Sequence, residues 1–113
     1  MANTFVNKKV DLTSTDATTL YTVPSATTAV IKSILVSEDS GNADTITVTI
    51  TDTDSAVFSL FRVKAISANG TTELLSAPLV VAESEAIKVT AATANRLHVV
   101  LSALEIKPRA VTS

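Results

Sequence analysis

Thr45-Ile46-Thr47-Val48-Thr49-Ile50-Thr51 alternates β-branched apolar and β-branched polar residues without a break. In a strand, successive side chains point to opposite faces, so Ile46, Val48 and Ile50 share one face and the threonines share the other. A helix would scatter the same residues round its circumference and work against their stiff χ1 torsions. The stretch is therefore a strand with one face in a core. Its hydroxyl face is either wet or covered by a partner.

Working outward, residues 38–44 (Glu-Asp-Ser-Gly-Asn-Ala-Asp) are turn chemistry, and residues 52–55 make a tight hairpin connection. The return strand, 56–66, carries Phe58, Leu60, Phe61, Val63 and Ile66, and its mixed pattern predicts a bulge near Leu60 and Phe61. Before the first turn, residues 27–37 hold Val30-Ile31 and Ile34-Leu35-Val36, apolar on both faces and hence a central strand. The same holds for 96–106 through Val99-Val100-Leu101. Residues 20–24 form a strand stopped by Pro24, because proline cannot donate to a ladder. Asn69-Gly70 is a hairpin signal, and 71–75 with 79–81 read as one strand broken at Pro78. Residues 82–94 are rich in Ala and Glu, but Ile87-Lys88-Val89-Thr90 alternates at period two and favours strand over helix.

These segments make about eight short antiparallel strands with turns between them, the pattern of an all-β sandwich or barrel. The 113 residues allow one domain, residues 1–113, with a polar N-terminal arm (1–9) and a C-terminal tail (107–113). Aromatics are 4% of the chain, so Val, Ile, Leu and Ala must build the core. Nine Lys and Arg against eleven Asp and Glu leave a net charge of -2, unlike the basic face of a nucleic-acid module. Without cysteine there are no disulfides or thiolate metal sites. The N-terminal stretch lacks the apolar segment of a signal peptide, and no apolar run reaches the roughly 20 residues of a membrane helix. Synthesis in the cytosol, without nucleic-acid or membrane partners, is the expectation.

Chemistry is hard to find. His98, the one histidine, sits between Leu97 and Val99 in the most apolar strand, a place for a rim or interface histidine rather than a catalytic base. The carboxylates of the 38–44 and 52–54 turns do not follow calcium-loop spacing, and Asp is an ordinary turn former. No catalytic residue, cofactor or metal is expected. The threonines Thr45, Thr47, Thr49 and Thr51 form a neutral hydroxyl surface, and charge-depleted surfaces suit the centres of protein interfaces.

The segments Leu20-Tyr21-Thr22-Val23-Pro24, Thr27 through Ile34 and Ala68-Asn69-Gly70-Thr71 come in a telling order, followed by Lys88-Val89-Thr90 and Leu97-His98-Val99-Val100. This order is similar to that of small virion structural proteins of tailed bacteriophages, cyanophages included. The resemblance implies a single β-sandwich, jelly-roll-like, that acts as a head decoration (cement) protein or as a neck, tail or baseplate component. It implies a homo-oligomer, a trimer or a ring, bound to other virion proteins such as the major capsid protein after assembly in the host cytoplasm. It supplies no catalytic residues. The expected contacts are Asn3, Phe5, Lys8 and Lys9 of the arm, the Thr45, Thr47, Thr49 and Thr51 face, and Lys107 and Arg109 of the tail. A carbohydrate- or receptor-binding module of a tail fibre is the alternative, opposed by the lack of Trp and the single Tyr. A small hydrolase is a further one, opposed by the lone His98.

Overall fold

The computed structural model describes residues 2–107. Among these there is no helix; there are nine strands. They are β1 (Ala2–Asp11), β2 (Thr18–Thr22), β3 (Thr28–Glu38), β4 (Asp44–Thr51), β5 (Val57–Ile66), β6 (Thr71–Glu73), β7 (Leu79–Val81), β8 (Ala86–Ala91) and β9 (Leu97–Lys107). The strand expected to break at Pro78 is the source of the ninth. Its two pieces both lie along β3, β6 on Leu35 to Ser37 and β7 on Ala29 to Ile31. Residues 82–94, where a helical turn was the rival, contain β8.

All pairings are antiparallel. One sheet runs β1-β9-β3-β6, with β7 also on β3, and the other runs β2-β8-β4-β5. The pairs nest about the β4–β5 turn: β4 with β5, β3 with β6 and β7, β2 with β8, β1 with β9. The chain is thus one long antiparallel ribbon whose successive pairs fall alternately in the two sheets. β3 and β9 are central, as their two-sided apolarity predicted.

The buried faces of the two sheets contribute to one hydrophobic core. Ile46 and Val48 of β4 meet there with Ile87 and Val89 of β8, Ile34 and Val36 of β3, and Val99 and Leu101 of β9. Each buried aliphatic side chain contributes about 1.5–3 kcal/mol relative to exposure. Irregularities serve this core. A register shift between Thr19 and Tyr21 lets the adjacent Leu20 and Tyr21 both be buried. The bulge expected near Leu60 is present, since Val48 faces Phe61 while Thr49 faces Ser59. A second shift leaves Arg62 and Val63 unpaired opposite Thr47, with Val63 at φ 53°, a left-handed conformation rare for a β-branched residue.

Several boundaries differ from the sequence reading: the strand expected over 20–24 is Thr18–Thr22 and ends before Val23, and the piece expected over 71–75 ends at Glu73. Of the polar segment 1–9, residues 2–9 are no arm: from Ala2 the chain is strand, paired residue for residue with β9 as far as Lys107. The free edge of β9 needs partners for its backbone groups, and Val6 and Val10 pack on the core, so the segment is recruited despite its polar composition. Glu38 and Asp44 are strand ends rather than turn residues.

Candidate interaction surface

An antiparallel sheet with one buried face normally presents a polar outer face. In the five-stranded sheet an apolar row interrupts that polar face. Directly paired residues share a face, and Phe5 pairs with Leu104, Leu104 with Val30, and Val30 with Val80. Their neighbours Val6, Ala103, Ile31 and Val81 point into the core, so this row points out. It crosses β1, β9, β3 and β7, a span of roughly 14 Å at ordinary strand spacing. Phe5 is 80% exposed and Val80 64% exposed. Ile106 flanks the row, and beyond the Ser102 and Ser33 pair lie Val100 and Leu35. Nothing among the described residues covers this band.

The threonine face behaves differently. Thr45, Thr47, Thr49 and Thr51 lie on the outer side of β4, opposite Thr90 and Lys88 of β8 at Thr47 and Thr49, and all four are only half-exposed. The Thr47 hydroxyl accepts the Val63 backbone N–H at 3.1 Å and so ties down the β5 bulge. Thr51 Oγ1 is buried without a hydrogen-bond partner.

The sheet edges are blunted. β5 carries two register shifts, the left-handed Val63, and Arg62 and Lys64, devices that hinder addition of a further strand. β1 carries Lys8 and Lys9.

Of the other residues expected at contacts, Phe5 begins the apolar row, Asn3 is paired with Ile106, and Lys9 with Val100. Lys8 lies on the core side of the edge strand, paired with the buried Leu101, yet is itself exposed. Lys107 ends β9, with Nζ 3.9 Å from Glu105 Oε1. Arg109 lies outside the described residues, as do residues 108–113 generally. The structure brings Asn3, Phe5 and Lys9 onto the same face as the band and the threonines onto the opposite sheet. Sequence reasoning missed Leu104, Val30, Val80 and Val100. Their signal was present in the two-sided apolarity of β3 and β9, which was read as centrality alone. In a sheet with one core, centrality explains only one apolar face.

Carboxylates that suggested ligand chemistry are taken up by the fold. Glu38 is buried, and its oxygens accept the backbone N–H groups of Ser40 at 2.8 Å, Gly41 at 3.0 Å, Asn42 at 3.1 Å and Asn69 at 3.0 Å, and the Ser40 hydroxyl. Burial pushes this carboxyl up, but the hydrogen bonds outweigh it and hold it at about 2, below the ordinary 4.5. Glu38 thus joins the β3–β4 loop to the β5–β6 turn, where Asn69 takes φ 55°. Gly70 leaves little room for a side chain, since a Cβ would stand 3.1 Å from the Ser67 carbonyl oxygen, a tight contact. Glu73 is held below the usual carboxylate range in the same way: burial raises it, and the Ser33 hydroxyl with the Ile34 and Leu75 N–H groups lower it further. Asp52 Oδ1 accepts Asp54 N and Ala56 N, each at 2.9 Å, and Asp44 accepts Thr93 N at 3.1 Å. Among the described residues no group of three or more His, Asp or Glu side chains is placed so that it could hold a metal ion.

His98 is half-exposed at the far end of the outer face, with Nε2 3.2 Å from Asp11 Oδ1 and Nδ1 3.5 Å from Asp39 Oδ2. It joins the end of β1 and the β3–β4 loop to the start of β9. Across the core, Tyr21 of β2 donates its hydroxyl to Glu105 of β9 at 2.5 Å, a polar cross-link between the sheets. Burial first, then the hydrogen bond to Glu105 and its charge, push the phenol above its ordinary 10.

The fold and surface define an all-β module with one uncovered apolar face. No family model matches the chain, and no curated protein matches it. Among solved structures, the capsid asymmetric unit of cyanophage Pam1 is similar, with 20% identity over 94% of this chain and 85% of that one and a TM-score of 0.46.

Proposed function

We propose that this chain is a non-enzymatic structural protein of a tailed-bacteriophage virion, a head decoration (cement) protein that assembles in the host cytoplasm and needs no cofactor. The apolar row Phe5–Leu104–Val30–Val80 on an otherwise solvent-facing sheet carries the reading: a surface of this kind is built to be covered. The virion setting comes from the order of sequence segments. The fold supports a module role. With β6 and β7 taken as one interrupted strand, the nesting of the ribbon supports reading the two antiparallel sheets as a jelly-roll-like sandwich. Such a module stays folded outside the cell without disulfides, through packing alone, and many copies turn modest contacts into a firm shell.

Locating the chain in a reconstruction of the particle tests this. It is expected on the head surface, with the outer face of the five-stranded sheet covered, and Val30→Asp should abolish its incorporation while leaving the purified protein folded. Placement on the neck, tail or baseplate would keep the structural role and overturn the cement assignment. Absence from purified virions would overturn both.

A further inference from the structure

The β5–β6 turn holds the one Asn-Gly pair of the chain, Asn69-Gly70. An asparagine before a glycine carries its own reagent. The backbone nitrogen of the following residue can attack the side-chain amide carbon, and glycine, without a Cβ, hinders that attack least. The step balances within the chain and water. A bond forms between Gly70 N and Asn69 Cγ, the Cγ–Nδ2 bond breaks, and the proton of Gly70 N leaves with Nδ2 as ammonia. Water then opens the cyclic imide at one carbonyl to give aspartate, or at the other to give isoaspartate, whose main chain runs through the former side chain.

The fold holds both reacting groups back. Gly70 N donates to the Ser67 carbonyl at 3.0 Å, a bond that must break before this nitrogen can lose its proton. Asn69 N donates to Glu38 Oε1 at 3.0 Å, and the Gly70 carbonyl accepts Glu38 N at 2.9 Å. One buried residue at the end of β3 thus grips the pair from both sides. Asn69 is held at φ 55°, with its Nδ2 beside Gly41, where a Cβ would stand 3.9 Å from it. Asn69 is exposed, so water is at hand, and conversion awaits only the local opening of the turn.

We infer that Asn69 is a site of self-modification kept in check by Glu38: it persists while Glu38 grips the turn and converts to aspartate or isoaspartate once the grip opens. Conversion runs one way. Isoaspartate lengthens the main chain between residues 69 and 70, and either product brings a second carboxylate to the loop that already holds Glu38. The link between the β3–β4 loop and the β5–β6 turn is weakened by the product, so modification removes its own guard. This inference is independent of the virion reading, which rests on the outer face of the other end of the argument from register, the apolar row.

Incubation of the full chain at fixed pH and temperature tests it, with Asn69 followed by peptide mass spectrometry and folding by far-ultraviolet circular dichroism. Asn69 should convert readily in urea-unfolded wild type and about tenfold or more slowly in the folded protein. Glu38→Gln should speed conversion in the folded protein by about tenfold, because hydrogen bonds to a charged acceptor that held the turn closed are lost. Glu38→Asp, with a shorter reach to Asn69 N, should shift the rate in the same direction. Tyr21→Phe weakens the fold at Glu105, the opposite end of β9 from the Leu97–Glu38 pair, and should stay within about threefold of wild type, since the opening is local. Conversion as fast in the folded protein as in urea overturns the inference. So does an Asn69 that stays intact in urea, a Glu38→Gln rate equal to that of wild type, or a Tyr21→Phe rate raised as much as that of Glu38→Gln.

Discussion

Replacing Tyr21 with Phe removes a single oxygen from the interior and leaves the ring in place. That oxygen is the donor to Glu105, which is buried at 6% exposure and has Lys107 3.9 Å away as its other close polar neighbour. A hydrogen bond to a charged group contributes about 1.5–3 kcal/mol net, and a buried acceptor stripped of its donor loses at least that. For a domain of this size, Tyr21→Phe should lower Tm by roughly 6 to 12 °C. Urea unfolding should show a lower midpoint at unchanged slope, because the surface exposed on unfolding stays the same. The partner change, Glu105→Leu, strands the phenol hydroxyl and should destabilise similarly. The double variant removes both polar groups and should be destabilised by less than the sum of the singles, by about 1 kcal/mol or more. A pH arm adds a sign. The folded phenol titrates above its ordinary 10, so this contribution is complete below pH 10 and is lost as pH rises beyond it. Tyr21→Phe should flatten that alkaline limb. Additive effects within about 0.5 kcal/mol, or an unmoved Tyr21→Phe midpoint, would refute the idea that this bond ties the sheets together.

The two threonines of one face should respond oppositely to the same change. Thr51→Val relieves a buried hydroxyl without a partner and should be neutral or stabilising by up to about 1 kcal/mol, whereas Thr47→Val strips the acceptor from Val63 N and should destabilise by about 1 kcal/mol, both by urea midpoint. Ile46→Ala, at a fully buried core position, should destabilise by about 2–5 kcal/mol, and a loss under about 1 kcal/mol would place Ile46 outside the core. Glu38 has a folded value of about 2 against an ordinary 4.5, so its contribution is complete above pH 4.5 and disappears as pH falls through 2. The wild type should lose stability across that window, and Glu38→Gln should be less stable at neutral pH and flatter below 4.5.

Much of the fold was legible because strand pattern is local. The alternation from Thr45 to Thr51, the break at Pro78 and the bulge near Leu60 each follow from neighbouring residues and the constraints on their backbone. Residues 2–9 of β1 escaped this reading because their composition is polar and their pairing comes from β9, about a hundred positions away in the chain. Glu38 escaped for a related reason: one of its donors, Asn69, belongs to another turn.

The surface shows the same division. Period-two alternation determined, from covalent geometry alone, which side chains of a strand stand together: Ile46 with Val48 and Ile50, Val30 away from Ile31. What stands beside them across a sheet is a matter of long-range pairing. Phe5, Val30, Val80 and Leu104 are scattered over the chain, and only the register of β1, β9, β3 and β7 sets them in one row. The sequence by itself determined that β3 and β9 have two apolar faces; tertiary structure decided that one of these is core and the other faces solvent.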